Sequence, residues 1–142
     1  MSRYFRLEEF LRSDTALKKK IDNTPSWEVI GNLNEMVEQL LDPLREAWGS
    51  GIRVSSGFRN ATLNRMVGGV SNSAHLYGLA VDVVPVNGKM DEFEAFLKRW
   101  LPKSGRNWDQ VIFETSGGSR WVHIGYRKGD GSQRRKVFGL VA

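Results

Sequence analysis

An aspartate stands inside an apolar run. Residues 79–84 read Leu-Ala-Val-Asp-Val-Val and are closed by Pro85, which predicts a short buried strand. A carboxylate in such a strand costs several kcal/mol unless it is paired or bound to a metal, so the fold must bring Asp82 a partner. The chain has two histidines, His75 and His123. A separation of seven would put His75 and Asp82 on opposite faces of one strand, so a turn must lie between them. Gly78 offers a place for it, and His75 then sits on the loop entering the strand. His123 lies in Trp121-Val122-His123-Ile124, which reads as a second strand. Two imidazoles and a carboxylate fill three positions of a zinc tetrahedron and leave the fourth open, the make-up of a catalytic rather than a closed structural site. Singly, His75 reads better as an ordinary loop histidine and Asp82 as a helix or turn cap at the strand end. The trio points to Zn2+ held by His75, Asp82 and His123.

With 142 residues, 40% hydrophobic and 26% charged, the chain is expected to form a single domain over 1–142. The absence of cysteine excludes disulfides and thiolate metal sites. A net charge of +5 favours anionic partners. The basic residues cluster only at 18–20 and 134–136, however, with no interleaved aromatic ladder, so no nucleic-acid partner is expected. The first residues carry charges where a signal peptide needs its apolar region, and no apolar run approaches membrane-spanning length. The expectation is a monomer made in the cytoplasm without a signal peptide and without membrane insertion.

Phe5, Leu7, Phe10 and Leu11 predict a short amphipathic turn or helix before a polar run over 13–23. Thr24 and Pro25 suit the cap and first position of a long helix, whose stripe is Trp27, Ile30, Leu33, Val37, Leu40, Leu41, Leu44 and Trp48. Pro43 either kinks that helix or starts a second one. Residues 52–56 read as a strand, 57–60 as a turn and 61–67 as a short helix. Asn87-Gly88 turns the chain into a helix that opens at Asp91 and stops at Pro102, with Phe93, Phe96, Leu97 and Trp100 on one face. Strands over 109–114 and 120–126 flank a hairpin turn at 115–119, and 137–141 suggests an edge strand. Helices first, then mostly antiparallel strands with one helix inserted, predict an α+β domain with helices packed on one face of the sheet.

The residues that hold the trio resemble a known family. Ser73-x-His75-x-x-Gly78-x-Ala80-x-Asp82, followed by Trp121-x-His123, is similar to the zinc-ligand signature of the M15-type peptidases. These are D-alanyl-D-alanine carboxypeptidases and peptidoglycan endopeptidases with a hedgehog-like fold. Ser56-Gly57-Phe58-Arg59 and the stretch 63–69 extend the resemblance over roughly residues 42–126. It implies a zinc metallopeptidase acting on a peptidoglycan stem or cross-bridge peptide, and for a chain without a signal peptide a phage or prophage lysis enzyme that reaches the wall after release. An inactive zinc-containing binding module is the rival.

Hydrolysis at such a centre also needs a base. Many M15-type relatives carry an acid three residues before the last ligand histidine, where this chain has Arg120. The expected replacement is Glu114, which shares a sheet face with His123 if it pairs opposite Trp121; a one-residue slip would turn it away. The resemblance gives Arg59 the role of gripping a substrate carboxylate, and Ser73 and Trp121 places lining the site. Their plainer readings are a surface ion pair, a turn hydroxyl and a core aromatic.

Overall fold

Alternating apolar residues build one sheet. β1 (Ile52–Ser56), β2 (Ala80–Pro85), β3 (Gln110–Ser116), β4 (Ser119–Gly125) and β5 (Lys136–Gly139) lie in the order β1-β2-β4-β3-β5. All neighbours are antiparallel except β3 and β5. The computed structural model describes residues 1–139. β5 is thus the expected edge strand, and positions 140 and 141 of that expectation lie outside the described residues. The β3–β4 turn is tighter than the sequence suggested. The ladder continues to Ser116 opposite Ser119, leaving only Gly117 and Gly118 to turn at φ 55° and 85°. Such a two-residue hairpin needs left-handed backbone at both positions, which glycine adopts without a Cβ penalty.

The register separates the two faces of the sheet. Val81, Val83, Val111, Phe113, Val122 and Ile124 are buried on one face, within a core that takes in Leu33, Leu40, Leu44, Phe93 and Leu97 from the helices. Asp82, His123, Ile112, Glu114 and Trp121 share the other face and are only partly buried. The chemistry-bearing residues therefore occupy the face that the core leaves open.

The helices are α1 (Leu7–Leu11), α2 (Asp14–Lys19), α3 (Trp27–Met36), α4 (Asp42–Trp48), α5 (Ala61–Met66) and α6 (Met90–Lys103). Several boundaries differ from expectation. α2 lies within the run read as polar: Ser13 caps it by accepting from the Ala16 N–H, and Ala16 is buried. Ser26, not Thr24, caps α3, its hydroxyl accepting from the Val29 N–H at 3.2 Å. Trp27 is 87% exposed rather than part of the stripe. It precedes Leu33 by six residues and so lies about 120° around the helix from it. Near Pro43 the second of the two expectations holds, for a new helix, α4, starts at Asp42 with the proline in its first turn. A π turn (Val37–Leu41), closed by the Asp42 N–H on the Val37 carbonyl, joins α3 to α4. The wider turn accommodates a residue that has no N–H and crowds the preceding turn. α6 runs one residue past Pro102, and Phe93, Leu97 and Leu101 form its buried stripe.

Candidate metal centre

Asp82 on β2 is paired directly with His123 on β4, and Asp82 Oδ1 lies 3.0 Å from His123 Nδ1. His75 arrives from a short 3-10 turn (Ala74–Tyr77), not an irregular loop, and its Nε2 is 3.3 Å from the same oxygen. Ser73 caps that turn by accepting from the His75 N–H at 3.2 Å. Among the described residues, these are the one group of three side chains whose ligand atoms converge, all within 4.8 Å of one another.

The hydrogen bonds decide what the site can hold. His75 Nδ1 lies 2.7 Å from the Gly57 carbonyl, which can only accept, so Nδ1 carries a proton. A neutral His75 then turns the lone pair of Nε2 toward Asp82 Oδ1, also an acceptor. Two acceptors at this distance need a proton or a cation between them. Around tetrahedral zinc, with bonds near 2.0–2.2 Å, ligand atoms stand roughly 3.3 Å apart. The separations of 3.3 and 3.0 Å match that edge, and the nitrogen and oxygen donors suit the ion. The residues present fit zinc. Burial pushes the Asp82 carboxyl up, but hydrogen bonds and charge from His123 and His75 outweigh it and hold the group well below the usual carboxylate range.

Gly57 gives its motif a physical meaning. A Cβ there would lie 2.5 Å from the Phe10 carbonyl oxygen and 2.7 Å from its Cα, so β1 leaves the sheet in direct backbone contact with α1. Phe58 then donates its N–H to Phe10 at 2.7 Å, and Arg59 donates its own to the His75 carbonyl at 3.1 Å. The methyl of Gly57→Ala meets backbone that cannot rotate away. It is expected to cost roughly 1–3 kcal/mol of stability and to displace the carbonyl that orients His75. Denaturant unfolding and zinc titration check both effects; parental values in each would mean that the contact is looser than the distances imply.

Arg59 stands between charges. Its Nη2 donates to Ser73 Oγ at 3.4 Å, and burial lowers its pKa while Asp82 and Glu114 oppose that shift. Ser73 is thus a turn cap that also touches the arginine. Glu114 pairs opposite Trp121, the register that puts both on the face of His123, and both are half-buried. Arg120 belongs to the other face. It is paired with Asp91 at 2.9 Å and with Glu94, tying β4 to α6. The side chain three residues before His123 is therefore a clamp between elements and does not plug the site.

Sequence reasoning missed two braces. Asn32 donates to the Tyr77 carbonyl at 2.9 Å and accepts from Arg127 at 3.1 Å, while Arg127 also pairs with Glu35 at 3.2 Å. Beside them the Tyr126 phenol is pushed up to about 12 by burial and by Glu35. These contacts hold the end of the His75 turn against α3. The second brace is Asn23, which donates to the Leu11 and Phe58 carbonyls and accepts from the Asn60 N–H. Neither carries a local motif, since the partners lie far apart in sequence.

Residues 3–125 match the family model described as Peptidase M15. The chain belongs to the peptidase M15 family. The match reaches back to residue 3 and so includes α1 and α2, which the residue resemblance had left out. A zinc D-Ala-D-Ala carboxypeptidase of Streptomyces albus G is 50% identical over 44 residues. Those residues are 30% of this chain and 17% of that protein, so the likeness to it is local. For an M15 peptidase the open sheet face, with its converging imidazoles and carboxylate, is the candidate active site.

Proposed function

We propose that the chain is a zinc metallopeptidase that hydrolyses an amide bond in peptidoglycan peptides, as a D-Ala-D-Ala carboxypeptidase or an endopeptidase of endolysin type. The observation that carries this reading is the 2.7 Å approach of His75 Nδ1 to the Gly57 carbonyl, which calls for the proton on Nδ1 and leaves Nε2 facing Asp82 Oδ1 beside His123. Membership of the peptidase family and the local likeness to a zinc carboxypeptidase support it. His75, Asp82 and His123 would hold zinc, which when bound supplies Lewis-acid polarisation of the scissile carbonyl and of water.

The chain's own groups do the rest. Glu114 takes a proton from the attacking water and returns it to the leaving amine. Arg59 offers a planar guanidinium that grips a carboxylate with two parallel hydrogen bonds, which a lysine cannot copy. Ser73 holds Arg59 and the His75 turn in one arrangement, and Trp121 forms a wall beside Glu114. The test is incubation of purified peptidoglycan with the zinc-loaded protein, with fragments identified by mass. Released D-alanine marks a carboxypeptidase, and shortened or uncrosslinked stems mark an endopeptidase. Wall binding without any new fragment would replace this reading with the inactive zinc-containing module.

A further inference from the structure

Residues 65–72 lead from α5 to the His75 turn with little apolar surface to hold them. Met66, Val67 and Val70 are all exposed, so burial does not anchor the segment. Its tether comes from Asn64, a buried residue of α5. Asn64 Nδ2 donates to the Val70 carbonyl at 2.8 Å, and the Asn64 carbonyl accepts the Gly69 N–H at 2.9 Å. Among the described residues, no other side chain makes a hydrogen bond to this segment. Gly69 is fitted to the contact, since a Cβ there would lie 2.1 Å from Asn64 Oδ1.

The Val70 carbonyl also accepts the Ser73 N–H at 3.1 Å, so the Asn64 amide and the Ser73 backbone share its two lone pairs. Ser73 Oγ in turn accepts from the His75 N–H and from Arg59 Nη2. A relay of amide, carbonyl, serine and arginine thus runs from the buried side of α5 to the site. Its far end needs holding, because Asp82 and Glu114 attract the same guanidinium. His75 depends on it less: the Gly57 carbonyl faces its Nδ1, and the Arg59 N–H fixes its own carbonyl. Stability alone does not account for an asparagine at 64. Its Oδ1 is buried without a hydrogen-bond partner, a cost that an apolar side chain of similar size escapes. What asparagine supplies is the Nδ2 donor. Resting on the proposed peptidase function, we infer that Asn64 is a positioning residue of the active site, which sets Ser73 through the Val70 carbonyl and so keeps Arg59 turned to substrate instead of collapsed on Asp82 and Glu114.

A double-mutant cycle on the zinc-loaded full chain, with a synthetic stem peptide as substrate, tests the inference. Asn64→Ala should lower kcat/KM about tenfold, mostly through KM, while bound zinc stays at the parental level. Ser73→Ala should do the same, and the double variant should be no worse than Ser73→Ala, because the amide acts through the serine. Gly69→Ala presses on the amide from the loop without opening a cavity. It should raise KM in the parent and change nothing further in Asn64→Ala. Parental kinetics in Asn64→Ala, losses that multiply in the double variant, or zinc lost in step with activity would each overturn the inference and leave the peptidase reading standing. Should the parent cleave no stem peptide, the peptidase reading fails, and amide hydrogen exchange decides whether Asn64 sets Ser73. Faster exchange at the Ser73 N–H in Asn64→Ala, with Val81 and Val122 protected as in the parent, upholds it. Unchanged exchange at Ser73, or faster exchange at all three, sinks it.

Discussion

Replacing His75 with alanine is expected to empty the centre and abolish turnover. The parent should hold about one equivalent of zinc, and the variant, left with Asp82 and His123, close to none. Lewis-acid stabilisation contributes several kcal/mol to such a reaction, so peptide hydrolysis should fall on the order of 1,000-fold or more. The variant also strips the Gly57 carbonyl of its buried donor, at a cost of about 1–3 kcal/mol to the fold. These two losses can be told apart. Zinc should raise the melting temperature of the parent by mass action and leave that of the variant where it is. Metal analysis and thermal unfolding with and without added zinc provide the check. A variant that retains a full equivalent of zinc would remove His75 from the ligand set.

What the sequence revealed here depended on how local the determining physics is. Asp82 was legible because a carboxylate in an apolar strand demands a partner, and the chain holds few candidates. The core faces of β3 and β4 were legible as well, because alternation set them. The exact register was not: the turn was expected over 115–119, and Glu114 comes opposite Trp121 because the ladder runs on until only Gly117-Gly118 are left to turn. The helix start at Ser26 was misplaced because Thr24-Pro25 carries an equally good local signal, and the exposed Trp27 was counted into a stripe it does not face. A π turn before Pro43 is chosen by packing on both sides of it, not by propensity. The part played by the N-terminal segment was hidden altogether, since the contact of Gly57 with Phe10 and the facing of Arg12 and Arg59 join residues more than forty positions apart.

Glu114→Gln is expected to keep zinc and stability and to lose roughly 100-fold or more in turnover, the usual range for removal of a positioned base. The structure narrows the alternatives by occupying them. Asp109 is buried; burial alone would raise its pKa, but hydrogen bonds from Arg134 hold it below the usual carboxylate range, with Arg134 reaching both oxygens at 2.8 and 2.9 Å. Asp91 and Glu94 are engaged by Arg120, and Glu35 pairs with Arg127. Glu114 shares the sheet face of His123, one two-residue step from it along the ladder, or about 7 Å of strand rise. A glutamate side chain spans much of that distance. Glutamine preserves size and hydrogen bonding but cannot take up the proton, so the loss should appear in kcat with KM little changed, and zinc content should stay at the parental level. Turnover at the parental rate would move the base elsewhere in the site. A comparable fall in both kcat and bound zinc would instead make Glu114 a support of the metal centre rather than its proton carrier.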